Sequence, residues 1–330
     1  MMNTPQMTGH RRERVRRIRA IVLCAALLPA AATAYPTRPL RLVVPYPAGG
    51  PVDITARLIG PDLAQILGQP VVVDNRAGAG GILATDLVTK AVPDGHTMLL
   101  GTVSNAITPS MRKLPFDVQK DLTPVTLLVV ITSILVVHPG VPATSVQELI
   151  ALARTRPGEI RYASTGNGTP GHLAAELFKH MARIDLLHVP YKGAAPALVE
   201  VMNGQVQMAL LSAPGLVPHV QAKRLKALAV TNAKRSLLMP DLPTIAESGL
   251  PGFEAEGWHG MFVPSATPAT AVSTLNRALL AALGNEETRT RLLRGGAEPV
   301  GLPPAQFAAK FRAEVERWSR VVKSAGIKAD

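Results

Sequence analysis

The chain has a single cysteine, Cys24, among 330 residues. It lies in an N-terminal apolar run, so the chain beyond that run can form no disulfide, thiol nucleophile or cysteine metal site. Aromatic residues make up only 4%. A nucleic-acid binder needs a clustered basic face interleaved with aromatics, and neither is present. No segment reaches about 18 uninterrupted apolar residues, the length that spans a bilayer. The longest apolar stretch, 125–137, is broken by Thr126, Thr132 and Ser133 and ends at His138-Pro139. It reads as buried strands. Gly-x-Ser-x-Gly, His-Glu-x-x-His and Walker patterns are all missing. The histidines beyond residue 34 lie at 96, 138, 172, 180, 188, 219 and 259, with no metal-ligand spacing. His172 and His180 come nearest, but two helical turns hold them too far apart to share an ion. Gly78-x-Gly80 lacks the third glycine and downstream acid of a dinucleotide fingerprint. The sequence therefore implies no cofactor, no metal and no recognisable enzyme.

The N-terminus carries an export pattern. Residues 11–19 hold six arginines and one glutamate, an apolar run follows over 20–32, and Ala32-Thr33-Ala34 presents small residues to a signal peptidase. Cleavage is expected before Tyr35. Ile21-Val22-Leu23 are too large for a lipoprotein signal at Cys24, and the surroundings of Arg16-Arg17 fit twin-arginine export poorly, so general secretion to the periplasm is expected. The formal charge of +12 then falls by five, to +7 for the mature chain.

Nearly 300 mature residues suggest two domains. Short β-branched runs predict strands at 41–44, 71–74, 97–100, 127–130, 134–137, 160–163, 187–189, 208–211, 225–230 and 260–263. Amphipathic periodicity predicts helices at 54–67, 82–90, 146–154, 172–181, 196–202, 269–283, 286–294 and 304–325. Such alternation implies an α/β fold with parallel sheets. The C-terminal third reads as purely helical, packing back on the first domain. Chain crossings are expected near 125–139 and 252–264, the second marked by an exposed-looking Trp258. The domains predicted are 35–136 plus 258–330, and 137–257. No internal repeat is evident. Gly60-Pro61 in the first helix predicts a kink or split.

The chemistry-bearing pattern is a strand running into a glycine-rich loop and then a helix. It appears first in Pro45-Tyr46-Pro47-Ala48-Gly49-Gly50-Pro51-Val52-Asp53. Glycines allow backbone N–H groups to turn toward a ligand, and the helix dipole favours negative charge there. The loop has no Lys, Arg or nucleophile, so backbone dipoles on Gly49 and Gly50 are the expected donors to a small carboxylate. Asp53 reads either as a ligand contact or as a brace for the helix start. Similar loops carry Ser104 and Asn105; Ser164, Thr165 and Asn167; and Tyr191, Lys192, Gly193 and Ala194. Thr169 reads as an N-cap with Pro170 at the first helical position. Lys192 is either a counter-ion or a solvated turn residue. Gly78-Ala79-Gly80-Gly81 reads as a close-packing turn or an anion cradle. Two loops fall in each predicted domain, on facing sides of one cleft that closes by hinge motion.

The chain resembles the Bug-type solute-binding proteins, the extracytoplasmic receptors of tripartite tricarboxylate transporters. The resemblance runs through Tyr35-Pro36-Thr37-Arg38-Pro39-Leu40-Arg41, the Pro45–Gly50 loop with Asp53, and the 68–81 and 93–97 segments. It continues through Gly168-Thr169-Pro170-Gly171-His172-Leu173, Val189-Pro190-Tyr191-Lys192-Gly193 and Leu242-Pro243-Thr244-Ile245-Ala246-Glu247-Ser248-Gly249. It implies a two-domain Venus-flytrap fold, of the type II periplasmic-binding-protein kind, that grips a small carboxylate between its domains. A dicarboxylate, tricarboxylate, amino acid or aromatic acid fits. The residues that would contact it are Tyr46, Ala48, Gly49, Gly50, Asp53, Ser104, Asn105, Ser164, Thr165, Asn167, Thr169, Tyr191, Lys192, Gly193 and Ala194. The implied partner of a monomeric receptor is a set of membrane transporter subunits. The alternative is a sensor-kinase ectodomain, and an enzyme of unknown type stands third.

Overall fold

A computed structural model describes residues 35–327. The leader and its cleavage site before Tyr35 lie at and beyond the edge of the described residues. The first sheet begins with β1 (Leu40–Val44), β2 (Val71–Asn75) and β3 (Thr97–Thr102), all parallel. β1 is buried along most of its length, as a central parallel strand covered on both faces must be. Helices α1 (Pro51–Leu67), α2 (Ile82–Thr89) and α3 (Ser104–Ile107) follow these strands in turn. Val52, Ala56, Ile59 and Leu63 bury one stripe of α1. Pro51 opens that helix and left-handed Gly68 closes it. Pro61 lies inside it without splitting it.

β4 (Leu122–Ile131) completes one side of this sheet, and after the single residue Thr132 the chain enters β5 (Ser133–Val137) in the second sheet. The passage between the sheets at Thr132 lies within the 125–139 stretch and ahead of residue 136. The second lobe comprises α4 (Val146–Thr155), β6 (Arg161–Ser164), α5 (Pro170–Ala182), β7 (Leu187–Pro190), α6 (Ala194–Met202), β8 (Met208–Ser212), α7 (Ala213–Gln221) and β9 (Lys226–Val230). Its strand order is β7-β6-β8-β5-β9. The chain returns as β10 (Gly257–Pro264), α8 (Ala269–Gly284), α9 (Glu286–Arg294), β11 (Ala297–Leu302) and α10 (Pro304–Ala325). The first sheet then has the order β11-β4-β10-β3-β1-β2.

Three expectations are corrected. Both sheets are mixed rather than parallel: β10 runs antiparallel to β3 and β4, and β5 antiparallel to β8 and β9. The C-terminal third is not purely helical, because β11 adds an edge strand to the first sheet. Its Pro299 and Gly301 obscure the strand pattern, and an edge tolerates both. Trp258 is 1% exposed. It packs edge-on against Phe307 and Phe311 from α10, with ring centroids 5.5 and 6.0 Å away. The short α3 and the proline-containing α7 were also missed: α3 is a single turn, and Pro214, Gly215 and Pro218 break up the helical pattern of α7.

α10 ties the lobes together. One hydrophobic cluster unites Leu99 and Phe262 of the first lobe, Tyr162 and Phe178 of the second, and Phe311 and Trp318 of α10. At the return crossing, Lys310 on α10 bonds Glu254 (2.5 Å) and Glu256 (2.9 Å). Burial lifts the pKa of Glu256 and Glu314 above the ordinary glutamate value. At the first crossing, Thr132 donates to Glu298 on β11 (2.6 Å), Ser236 donates to the same oxygen, and the Leu237 N–H reaches the other (2.9 Å).

Candidate functional site

In each lobe a trio of parallel strands, β2-β1-β3 and β7-β6-β8, feeds loops at the strands' carboxyl ends. Open α/β sheets bind ligands outside that edge. The loop after β1 is exposed at Ala48 and Gly49, with Tyr46 half-buried beneath. The Tyr46 hydroxyl donates to Ser104 Oγ (3.2 Å) and lies 3.5 Å from Thr102 Oγ1. Asn105 accepts the Thr102 N–H (2.9 Å) and donates to Thr85 (2.9 Å). The Gly78–Gly81 turn takes the packing role: a side chain at Gly81 would meet Pro45 Cβ at 3.1 Å. The first three strand–helix junctions thus converge on Tyr46.

Asp53 faces inward. It is 2% exposed and accepts from Gly49 N (2.8 Å), Arg57 Nε (2.8 Å) and Asn75 Nδ2 (3.0 Å). The hydrogen bond from Arg57 leads the effects that pull its pKa down to about 2, against an opposing desolvation. The brace reading of Asp53 is the one the geometry supports. The Gly49 N–H is engaged by Asp53, and the Gly50 N–H makes a long 3.3 Å bond to Pro47 O. The N–H groups of Val52 and Asp53 lie in the first helical turn, where no intrahelical partner exists.

In the second lobe the loop after β6 is stitched to itself. Gly166 N donates to Ser164 Oγ (3.1 Å), Thr169 Oγ1 donates to Gly166 O (2.8 Å), and Tyr191 N donates to Ser164 O (3.0 Å). Thr169 occupies the N-cap position, but its side chain makes no capping bond to the helix. Ser164 is buried, Thr165 half-buried, and Asn167 exposed. Gly193 (φ +108°) opens α6, and Lys192 and Ala194 on either side of it are exposed. Across the cleft, the Met111 methyl of the first lobe occupies the place a Gly168 side chain would take.

Sequence reading missed His172, His188 and Met111. His172 Nδ1 accepts the Gly168 N–H (2.9 Å), and its ring stacks on His188 with centroids 3.9 Å apart. His188 Nε2 lies 2.7 Å from Ser164 Oγ. Burial lowers the pKa of both rings, His188 to about 4. The signal that could have found His172 is a matched spacing, Gly49-Gly50-Pro51-Val52-Asp53 against Gly168-Thr169-Pro170-Gly171-His172.

Residues 55–327 match the family model described as the tripartite tricarboxylate transporter family receptor. The chain belongs to that family. Receptors of the family are periplasmic solute-binding proteins. Among curated relatives, the UPF0065 protein in the tcbD-tcbE intergenic region of Pseudomonas sp. strain P51 is 40% identical over 291 residues, covering 88% of this chain and 87% of the relative. Protein BugT of Bordetella pertussis is 36% identical, covering 91% and 93%. Among solved structures, R. palustris Rpa4515 with adipate shares 40% identity at a TM-score of 0.73, covering 89% of this chain and 99% of that one. MatC of Rhodopseudomonas palustris with bound malate shares 34% at 0.69, covering 87% and 100%. A TctC solute-binding protein from Polaromonas, described as having no ligand, shares 26% at 0.82, covering 88% and 99%. The two-lobed α/β receptor fold is thus common to this chain and its structural neighbours.

Proposed function

We propose that this receptor, exported by the leader ahead of Tyr35, captures a small dicarboxylate between its lobes and delivers it to a membrane transporter. The observation that carries the reading is the pair of helix N-termini, α1 and α5, each presented by a glycine loop at the carboxyl edge of its own sheet. A helix N-terminus offers unpaired N–H groups and a positive dipole end, which together favour a carboxylate. Tyr46, Ser104 and the first-turn amides of α1 serve one carboxylate. The 164–169 loop and the Tyr191–Ala194 turn close over the ligand from the other side. Asp53 shapes the first loop without touching the ligand.

The domain limits follow the sheets, with hinges at Thr132 and near 255–257. The ligand-free Polaromonas structure overlays better, at 0.82, than the adipate and malate complexes at 0.73 and 0.69, despite its lower identity. Ligand binding then shifts the population of lobe arrangements toward closure. Adipate and malate, bound by two relatives, set the first ligands to try.

The test is isothermal titration of protein freed of ligand by unfolding and refolding, with adipate, malate, citrate, glutamate and an aromatic acid. At least one carboxylate binds, and Gly50→Val, which crowds Pro47 O and the first turn of α1, weakens it at least tenfold while the fold persists. Absence of binding to every anion overturns the reading.

A further inference from the structure

The two gripping loops are held by the same device built from different chemistry. In each, a glycine with left-handed backbone (Gly49 at φ +80°, Gly168 at φ +70°) precedes the N-cap. The N-cap residues Gly50 and Thr169 have nearly equal backbone angles (φ −77°, ψ 167° and φ −72°, ψ 158°). Proline follows at the first helical position of each. The third helical residue then reaches back four positions to the glycine N–H: Asp53 to Gly49 at 2.8 Å, His172 to Gly168 at 2.9 Å. This resembles a capping box, shifted one residue outward.

We propose that His172 is a positioning residue for ligand binding, its neutral Nδ1 fixing the Gly168 end of the second-lobe loop as Asp53 fixes the first. The inference rests on the solute-binding reading and adds a residue through which the second lobe's grip is set.

The chemistry constrains the ring. A backbone N–H can only donate, so Nδ1 must carry a lone pair and the proton must sit on Nε2. Protonation would place two donors head to head and release Gly168. The groups that face the ring keep it neutral. His188 from β7 stacks on one face, and two cations 3.9 Å apart would repel. Tyr162 from β6 stacks 6.3 Å away and donates its hydroxyl to Glu176 on α5. Lys179, also on α5, pairs with Glu176 at 3.1 Å. The local charges are thereby balanced without the imidazole. His188 in turn anchors Ser164, which holds Gly166, so the stacked pair grips the loop at two points.

The experiment compares His172→Leu, which fills the space without an acceptor, with His172→Asn, whose Oδ1 can stand where Nδ1 stands. Amide hydrogen exchange of Gly168 is read by NMR in the ligand-free protein, and affinity for adipate and malate by titration. His172→Leu lowers Gly168 protection and ligand affinity about tenfold, the worth of one hydrogen bond, and His172→Asn returns both to within about threefold of wild type. Wild-type behaviour of His172→Leu, or an Asn variant no better than Leu, overturns the proposal. Should His172→Leu fail to fold, the wild-type protein decides. The proposal requires the Nε2–H tautomer and Gly168 protection that falls on acidification while Gly49 protection persists. An Nδ1–H tautomer, or parallel loss at both glycines, refutes it. A wild-type protein with a locked Gly168 that binds neither acid upholds the lock and counts against the solute-binding reading instead.

Discussion

The loops after β1 and β6 have almost the same backbone, yet they are held with different security. Asp53 carries a full charge, accepts three hydrogen bonds and is reinforced by Arg57. His172 holds its glycine with one neutral acceptor on a stacked ring. Geometry alone makes these equivalent, while electrostatics makes the first loop a fixed platform and the second one releasable. On the solute-binding reading proposed above, that asymmetry lets one lobe keep the site formed while the other yields.

The largest expected effect comes from removing the stronger brace. Asp53→Ala strands the Gly49 N–H, removes one of the two acceptors of the Asn75 amide and releases half-exposed Arg57. We expect a loss of about 3 kcal/mol in urea unfolding, against about 1 kcal/mol for His172→Leu. Equal losses would erase the distinction between the loops.

The glycines themselves separate next. Gly49→Ala and Gly168→Ala both force a side chain into left-handed backbone, at about 1 kcal/mol each. Gly49 has open space around it, whereas a Cβ at Gly168 would lie 2.0 Å from the Met111 methyl. Gly168→Ala therefore costs more and displaces Met111 across the cleft. A double-mutant cycle with Met111→Ala should recover that excess; strict additivity would mean that the contact between lobes has no energetic weight.

Acid sharpens the comparison further. His188 has a folded pKa of about 4, below its ordinary 6.5. Between these values the unfolded chain binds more protons, so stability falls as pH drops from about 6.5 to 4. His259, buried in the first lobe and also lowered to about 4, adds the same trend. Asp53 acts lower: its contribution, complete above the ordinary 3.8, is lost as pH falls through about 2. Glu256 and Glu314, raised by burial, pull the other way as pH falls, so denaturation midpoints at several pH values are compared with those of His188→Gln; a variant that keeps the wild-type slope between pH 6.5 and 4 would contradict the His188 assignment. The smallest effect is expected at exposed Lys192, where Lys192→Ala should change stability by less than about 0.5 kcal/mol.

Much of the fold is legible in the sequence because apolar periodicity survives in isolation. The helices at 286–294 and 304–325 match the structure residue for residue, and most strands lie within two residues of their expected ends. β11 was not legible, because Pro299, which an edge strand tolerates, and Gly301 interrupt the β pattern. Neither was the burial of Trp258, which depends on Phe307 and Phe311 arriving from α10 some 50 positions later.

The site divides along the same line. The loops bearing Tyr46, Ser104, Ser164 and Tyr191 were named from glycine, proline and hydroxyl spacing, which are local signals. The roles of Asp53 and His172 were not fixed by spacing, since an acid or imidazole at the third helical position can face solvent, ligand or backbone. The sequence by itself determined the α/β class, the family and the positions of the glycine-rich strand–helix loops, because these depend on short-range pattern. Only the tertiary structure decided the strand directions, the union of the lobes through α10, and the turning of Asp53 and His172 onto their glycines. Those depend on which buried polar groups must find partners once the chain has closed around them.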